Sequence, residues 1–202
     1  MFFELIVITF GVLIALGINA WYNTYQQQQQ ASQLLTKIAY ELENNITQLA
    51  RVQAGYEQNI ELADKFEAEL QQNPPTEESY QFVLMMLHTD QGAWQFSKSR
   101  DELNTLPVEL LIDLNLANRS SLTAQNMVSD FIFQQHDEIS KLLENDQNEA
   151  YLDTVEREFK QLKFTIDIAL LSSQKALSRI KEFQKTGKLT KNTQPLSLSS
   201  EL

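Results

Sequence analysis

Apolar positions along the chain fall into two regimes. From Leu5 to Ile18 only Thr9 interrupts an apolar run, which Phe2, Phe3, Ala20, Trp21 and Tyr22 extend at its ends. A helix over Phe2 to Tyr22 is roughly 31 Å long at about 1.5 Å per residue, matching the hydrocarbon core of a bilayer. The run therefore predicts one membrane-spanning helix, with the anchor occupying residues 1–25. Trp21, Tyr22 and Tyr25 stand where it gives way to Gln26 to Gln30, and amphipathic rings favour that headgroup level. Gly11, Ala15 and Asn19 recur every fourth position, a face on which a second membrane helix can approach closely. A cleaved secretory signal is the rival reading, because Ala15-Leu16-Gly17 and Ile18-Asn19-Ala20 offer small residues to a peptidase. The length of the run and the absence of Lys or Arg before it weigh against cleavage.

Beyond the anchor the pattern becomes amphipathic. Leu35, Ile38, Leu42, Asn45, Leu49, Val52, Tyr56, Asn59, Ala63, Phe66 and Leu70 alternate three and four apart, the narrow stripe of a coiled-coil helix. This helix is expected to continue the membrane span, with Gln26 to Gln30 as a solvated helical stalk. Asn45 and Asn59 sit in the stripe, where a buried amide fixes register or oligomer state, although Ile46 and Ile60 stand beside them to take over the seam. Gly55 costs about 1 kcal/mol relative to Ala and marks a bend.

Asn73-Pro74-Pro75 ends the helix, since proline disfavours helix in the residue before it and cannot donate to the ladder. Thr76 then predicts the cap of a second helix over Glu77 to Thr89. With Phe82, Val83, Leu84, Met85, Met86 and Leu87 it has almost no polar face, so it is sandwiched in the bundle or docked on a partner. Asp90 to Pro107 reads as an irregular centre in which Trp94 and Phe96 are large apolar anchors and Ser99 caps a short turn over Arg100 to Asn104. Pro107 suits the first turn of a helix reaching about Leu143, with a stripe of Leu111, Leu114, Val128, Ile132, Ile139 and Leu142 that a polar layer at Asn118 to Ser121 interrupts. Glu144 to Asn148 makes a turn. The last helix repeats Leu152, Val155, Phe159, Leu162, Ile166, Ala169, Ser173, Ala176, Ile180 and Phe183, and Gly187 closes it. The reading is all-α: a single N-terminal transmembrane helix continuing into an elongated antiparallel bundle of three long helices plus short central ones, over 26–187. Residues 188–202 read as a disordered tail.

Glu4, Gly11, Leu13-Ile14-Ala15-Leu16, Ile18-Asn19 and Trp21 together resemble the opening of a widespread bacterial family of uncharacterised, N-terminally membrane-anchored helical proteins. Ala93-Trp94 through Leu103, Leu106-Pro107 and Glu109 are similar to that family's central segment. The family's Gly near Arg100 or Asp101 and its aromatic pair near Leu116 are absent. The resemblance implies an anchor and a helical domain, and no known activity.

Composition narrows the function classes. A net charge of −11 argues against a nucleic-acid surface, which needs concentrated Lys and Arg. The chain has no cysteine, which removes disulfides, thiolate catalysis and thiolate metal sites. His88 and His136 are preceded at three residues by Met85 and Phe133 rather than Glu, so the Glu-x-x-His pairs of carboxylate-bridged metal bundles are missing and no metal or cofactor is expected. No hydrolase, kinase, nucleotide or zinc-protease signature occurs, and the expectation is not an enzyme.

Residues 41–78 carry nine acidic and two basic side chains, whereas Lys175, Arg179, Lys181, Lys185, Lys188 and Lys191 are accompanied by Glu182 alone. The basic set Lys175, Arg179, Lys181, Lys185 and Lys188 is a candidate contact for membrane lipid or a partner. Helices running up, down, up and down return it to the membrane, and three long helices point it away. Met85, Met86, Trp94 and Phe96 are candidate partner-docking residues. The sequence thus predicts a non-enzymatic, single-pass protein of the bacterial inner membrane, N-terminus cytoplasmic and C-terminal bundle periplasmic. Its role would be that of an accessory or scaffold subunit contacting lipid and a protein partner or second copy through its transmembrane and bundle faces. The alternative is a periplasmic ligand-sensing bundle that signals through a partner.

Overall fold

The computed structural model describes residues 2–72, 81–142 and 149–189. The expected stop at Asn73-Pro74-Pro75, the cap at Thr76, the turn at Glu144 to Asn148 and the tail beyond residue 189 lie outside them. The regular elements among the described residues are all helical: α1 (Phe2–Gln72), α2 (Gly92–Lys98), a 3₁₀ turn (Asp101–Thr105), α3 (Val108–Leu142) and α4 (Glu149–Thr186). At 71 residues α1 is roughly 105 Å long. Its first thirty residues project beyond the bundle, whose core begins at Ala31.

Three stripes with heptad spacing build that core. On α1 the buried residues are Ala31, Leu35, Ile38, Leu42, Asn45, Leu49, Val52, Tyr56, Asn59 and Ala63; on α4 they are Val155, Phe159, Leu162, Ile166, Ala169, Ser173, Ala176 and Ile180. The α3 stripe is Leu110, Leu114, Ala117, Ser121, Ala124, Val128 and Phe131, which corrects the expected start at Leu111 by one position. It runs through the polar stretch without a break because small residues fill the layer: Ser120 and Ser121 hydrogen-bond Ser172 and Ser173 across the α3–α4 contact, at 2.5 and 3.3 Å. The Cβ-sized side chains let the helices approach, and each hydroxyl finds a partner, as a buried polar group requires. Gly187 ends α4 with φ +68°, its N–H donating to the Phe183 carbonyl at 2.8 Å, the left-handed closure a glycine accepts without steric cost.

α4 is antiparallel to both other long helices. Thr36 meets Gln184, Gln53 meets Asp167 and Glu57 faces Lys163 on the α1 side, while Asp113 meets Lys175 and Arg179 on the α3 side. α1 and α3 are thus parallel, and the chain must return the length of the bundle between them.

The described part of that return ahead of α2 is not helical. Residues 81–91 have no regular secondary structure, which overturns the helix expected over Glu77 to Thr89 for the residues described. The backbone that a helix would satisfy internally is satisfied by side chains. The Asn59 amide donates to the Val83 carbonyl at 2.9 Å and accepts from the Val83 N–H at 2.8 Å. Asn45 does the same for Asp90, at 2.7 Å in both directions. From α3, Gln125 Oε1 accepts from the Thr89 N–H and hydroxyl at 2.7 and 2.8 Å. The spacing is self-consistent: fourteen helical residues between the asparagines span roughly 21 Å, and seven extended residues between Val83 and Asp90 span roughly 23 Å. Two heptads of helix therefore measure one heptad of strand. Leu87 is buried between the helices and Phe82 packs on Phe159, ring centroids 5.3 Å apart. Gly55, read as a bend, is where the segment passes closest: a Cβ there would lie 2.6 Å from Met85 Sδ.

Asn45 and Asn59 occupy core positions, so a simple coiled-coil seam and a backbone clamp make opposite predictions. In the clamp, Asn59→Leu or Asn45→Leu removes two hydrogen bonds and overfills the site, costing about 2–3 kcal/mol each. The midpoint of urea unfolding checks this; in a simple seam the leucines would raise it.

Candidate interaction surfaces

Three surfaces present groups that the bundle does not consume. The first is the apolar stem. Leu13, Ile14, Leu16, Ile18, Trp21 and Tyr22 are all exposed, and Gly11 and Gly17 have no neighbouring atoms within 4 Å of a Cβ position. The start of α1 is the one helix among the described residues long and apolar enough to cross a membrane. Gly11, Ala15 and Asn19 share a face of it and meet nothing in the chain. Trp21 stacks on Tyr25 at 6.1 Å, and Gln29 donates to the Tyr25 hydroxyl at 3.1 Å, so the aromatic band continues helically into the glutamine tract.

The second is the region of α2, at the stem end of the bundle. Its first N–H groups receive no local cap from Gln91. Glu41 on α1 caps them instead, accepting from the Ala93 N–H at 2.6 Å and the Trp94 N–H at 3.3 Å. Glu41 is buried, and burial raises its pKa above the usual carboxyl value; the two N–H donors oppose that shift and the nearby Asp90 carboxylate adds to it. Capped in this way, α2 drops Trp94 into the core beside Leu103, Leu106 and Leu110. The expected cap from Ser99 is corrected: its hydroxyl donates back to the Phe96 carbonyl, and the residue at the cap position of the 3₁₀ turn is Arg100, which makes no side-chain cap there. An open groove of about 540 Å³ runs alongside, between Thr36, Lys37 and Tyr40 of α1 and Asp90, Gly92 and Ala93. Its one buried carboxylate, Glu41, already serves α2.

Of the candidate docking residues, Trp94 is inside the core, Met85 is half-buried against Gly55, and Met86 and Phe96 are exposed. Arg100 lies over the Phe96 ring at 4.5 Å, and Lys98 over Trp94 at 5.4 Å.

The third surface is the basic end of α4, and the structure divides it. Lys175 Nζ and Arg179 Nη1 lie 2.9 and 3.1 Å from the two oxygens of buried Asp113, so both face α3. Lys181 pairs with Glu43 at 2.7 Å. Lys185 and Lys188 are exposed. Asp113, Glu41 and Gln125 were not singled out by sequence reasoning. Asp113 lies beside the α3 stripe, three residues past Leu110 and one before Leu114, a buried acid whose partners on α4 are 62 and 66 residues away in sequence. Among the described residues no group of three His, Asp or Glu is arranged to hold a metal ion.

The chain matches no family model, no curated protein and no solved structure.

Two substitutions test these polar anchors. Asp113→Asn leaves two cations facing each other at the α3–α4 contact and is expected to cost about 3 kcal/mol by chemical denaturation. Glu41 gives a pH signature. Its folded pKa is raised, so the folded state binds the proton more tightly, and its contribution is full below about pH 4.5 and declines as pH rises toward the folded value. The stability of the native chain relative to Glu41→Gln should therefore fall as pH is raised from 4.5; a difference independent of pH would contradict this.

Proposed function

We propose that this chain is a single-pass membrane protein that holds a helical rod off the bilayer as a non-enzymatic scaffold or accessory subunit of a membrane assembly. The observation that carries the reading is the continuity of α1: its apolar start, exposed from Val7 to Tyr22, passes without a break into the helix that forms one side of the bundle. In water that stem would expose more contiguous apolar surface than soluble monomers tolerate. In a bilayer it is satisfied, and its backbone is already hydrogen-bonded within the helix. A continuous helix also transmits position, because the bundle's first core residue, Ala31, is six positions past Tyr25 and fixed in azimuth relative to the Gly11, Ala15 and Asn19 face.

The resemblance of the opening residues to a family of anchored helical proteins points the same way. Placement in the bacterial inner membrane, N-terminus cytoplasmic and bundle periplasmic, completes the proposal. Its scaffold role is supported by the absence of catalytic signatures in the sequence and by side chains at the buried polar positions that serve packing and backbone satisfaction rather than converge on a cleft.

Membrane fractions washed with alkaline carbonate should retain the intact chain, and mild-detergent extracts should yield it in a complex larger than the monomer. A product that washes free and begins near Ile18 or Trp21 would refute the anchor; a strictly monomeric species without partners would refute the assembly role.

A further inference from the structure

We infer that the end of the bundle nearest the stem carries a docking surface for anionic lipid headgroups, formed by Lys37, Lys185 and Lys188. The inference rests on the anchor proposed above and adds a second, electrostatic contact to it.

Three-dimensional placement creates this surface. Because residues 81–91 cross back as an extended segment, α3 starts at the stem end and α4 finishes there. The pairs Thr36 with Gln184, Gln53 with Asp167 and Glu57 with Lys163 share one antiparallel register, which sets the last residue of α4, Thr186, level with residue 34. That level is nine residues past Tyr25, or roughly 13 Å along α1. At the end of α4 the lysine side chains shorten this gap toward about one Debye length of 8 Å at physiological salt, and Lys37, twelve residues past Tyr25, stands roughly 5 Å farther out.

On α1 and α4 the charge at this end is one-signed, and the approach to α3 adds Lys98 and Arg100 alongside Asp101, Glu102 and Glu109, which leaves a basic excess. Residues 26–40 and 183–189 contain Lys37, Lys185 and Lys188 and no acidic residue. All three lysines are exposed. Lys188 is held against the helix end, because the Thr186 hydroxyl donates to its carbonyl at 2.7 Å and accepts from its N–H at 3.2 Å. The opposite end has the opposite sign, for the helical residues 48–72, 116–142 and 149–174 carry thirteen acidic and seven basic side chains. An anionic bilayer thus attracts the near end and repels the far one, favouring an upright rod. Lys175, Arg179 and Lys181 are excluded from the surface, since they are already paired with Asp113 and Glu43.

The chain lacks cysteine, so a single Ser178→Cys substitution on the exposed face of α4 accepts one fluorophore. The full-length labelled chain is reconstituted into phosphatidylcholine vesicles with and without phosphatidylglycerol, and its quenching by a headgroup-labelled lipid is measured. The docked-to-undocked ratio should rise about fivefold per lysine, about a hundredfold for the three together, and the rise should vanish in molar salt and in Lys37→Gln/Lys185→Gln/Lys188→Gln. The control Arg51→Gln/Lys65→Gln, which removes charge from the far end of α1, should leave it intact. Quenching indifferent to phosphatidylglycerol, or equal losses in both variants, overturns the surface while leaving the anchor standing. Failure of the chain to float with the vesicles overturns the anchor, and the docking surface with it.

Discussion

The carboxamides of Asn45 and Asn59 are buried in the helix stripe and have to hydrogen-bond something, and in this protein they bond, with Gln125, the backbone of the extended segment laid against the helices. An asparagine side chain carries the same donor and acceptor as a peptide unit, so each clamp is a short piece of strand pairing presented by a helix. The requirement is strict because an unpaired amide in a dry interior costs more than a hydrogen bond returns. That constraint decides the topology. With the return made by an extended segment, three long helices suffice, α1 and α3 run parallel, and α4 packs against both. A single helix in place of the segment would need about twice the residues to span the same length and would displace α3 from its present distance.

Around this clamp the polar core positions divide the labour. Glu41 supplies the cap that α2 lacks, which seats Trp94 and lets the 3₁₀ turn over Asp101–Thr105 deliver the chain into α3. Asp113 holds Lys175 and Arg179 and so locks the α3–α4 register at the stem end, while the serine layer sets the distance between the two helices midway along. Farther from the stem the interior turns aromatic, with Tyr56, Phe131 and Phe159 in mutual ring contact and the Tyr56 hydroxyl buried deeply enough to push its pKa up to about 12. Trp94 with a leucine-rich cluster near the stem and the aromatic cluster away from it distinguish the two ends of the bundle. The distribution of charge follows the same axis.

The long helices were legible because periodicity is a local property. A stripe spaced three and four apart needs one helix and one apolar neighbour, whatever that neighbour is, so α1 and α4 could be read from their own residues, and Gly187 announced the end of α4 by chain geometry alone. Residues 81–89 read as helix for the complementary reason. A run such as Phe82 to Leu87 has no period to distinguish a buried helix from a buried extended segment, and its proline-rich approach left only propensity to decide. Asn45 and Asn59 were seen as exceptions in the stripe, yet what they bind is 45 and 24 residues away.

What the sequence by itself determined is the apolar stem, the all-helical class, the stripes on the long helices and the concentration of lysine near the end of α4, since each follows from composition and spacing within one segment. Tertiary structure alone decided which backbone the asparagines hold, that Asp113 pairs with Lys175 and Arg179, and which end of the bundle Lys185 and Lys188 adorn. Those are pairings between residues distant in the chain, and their free energy exists only once the chain entropy of bringing such residues together has been met by the packed core.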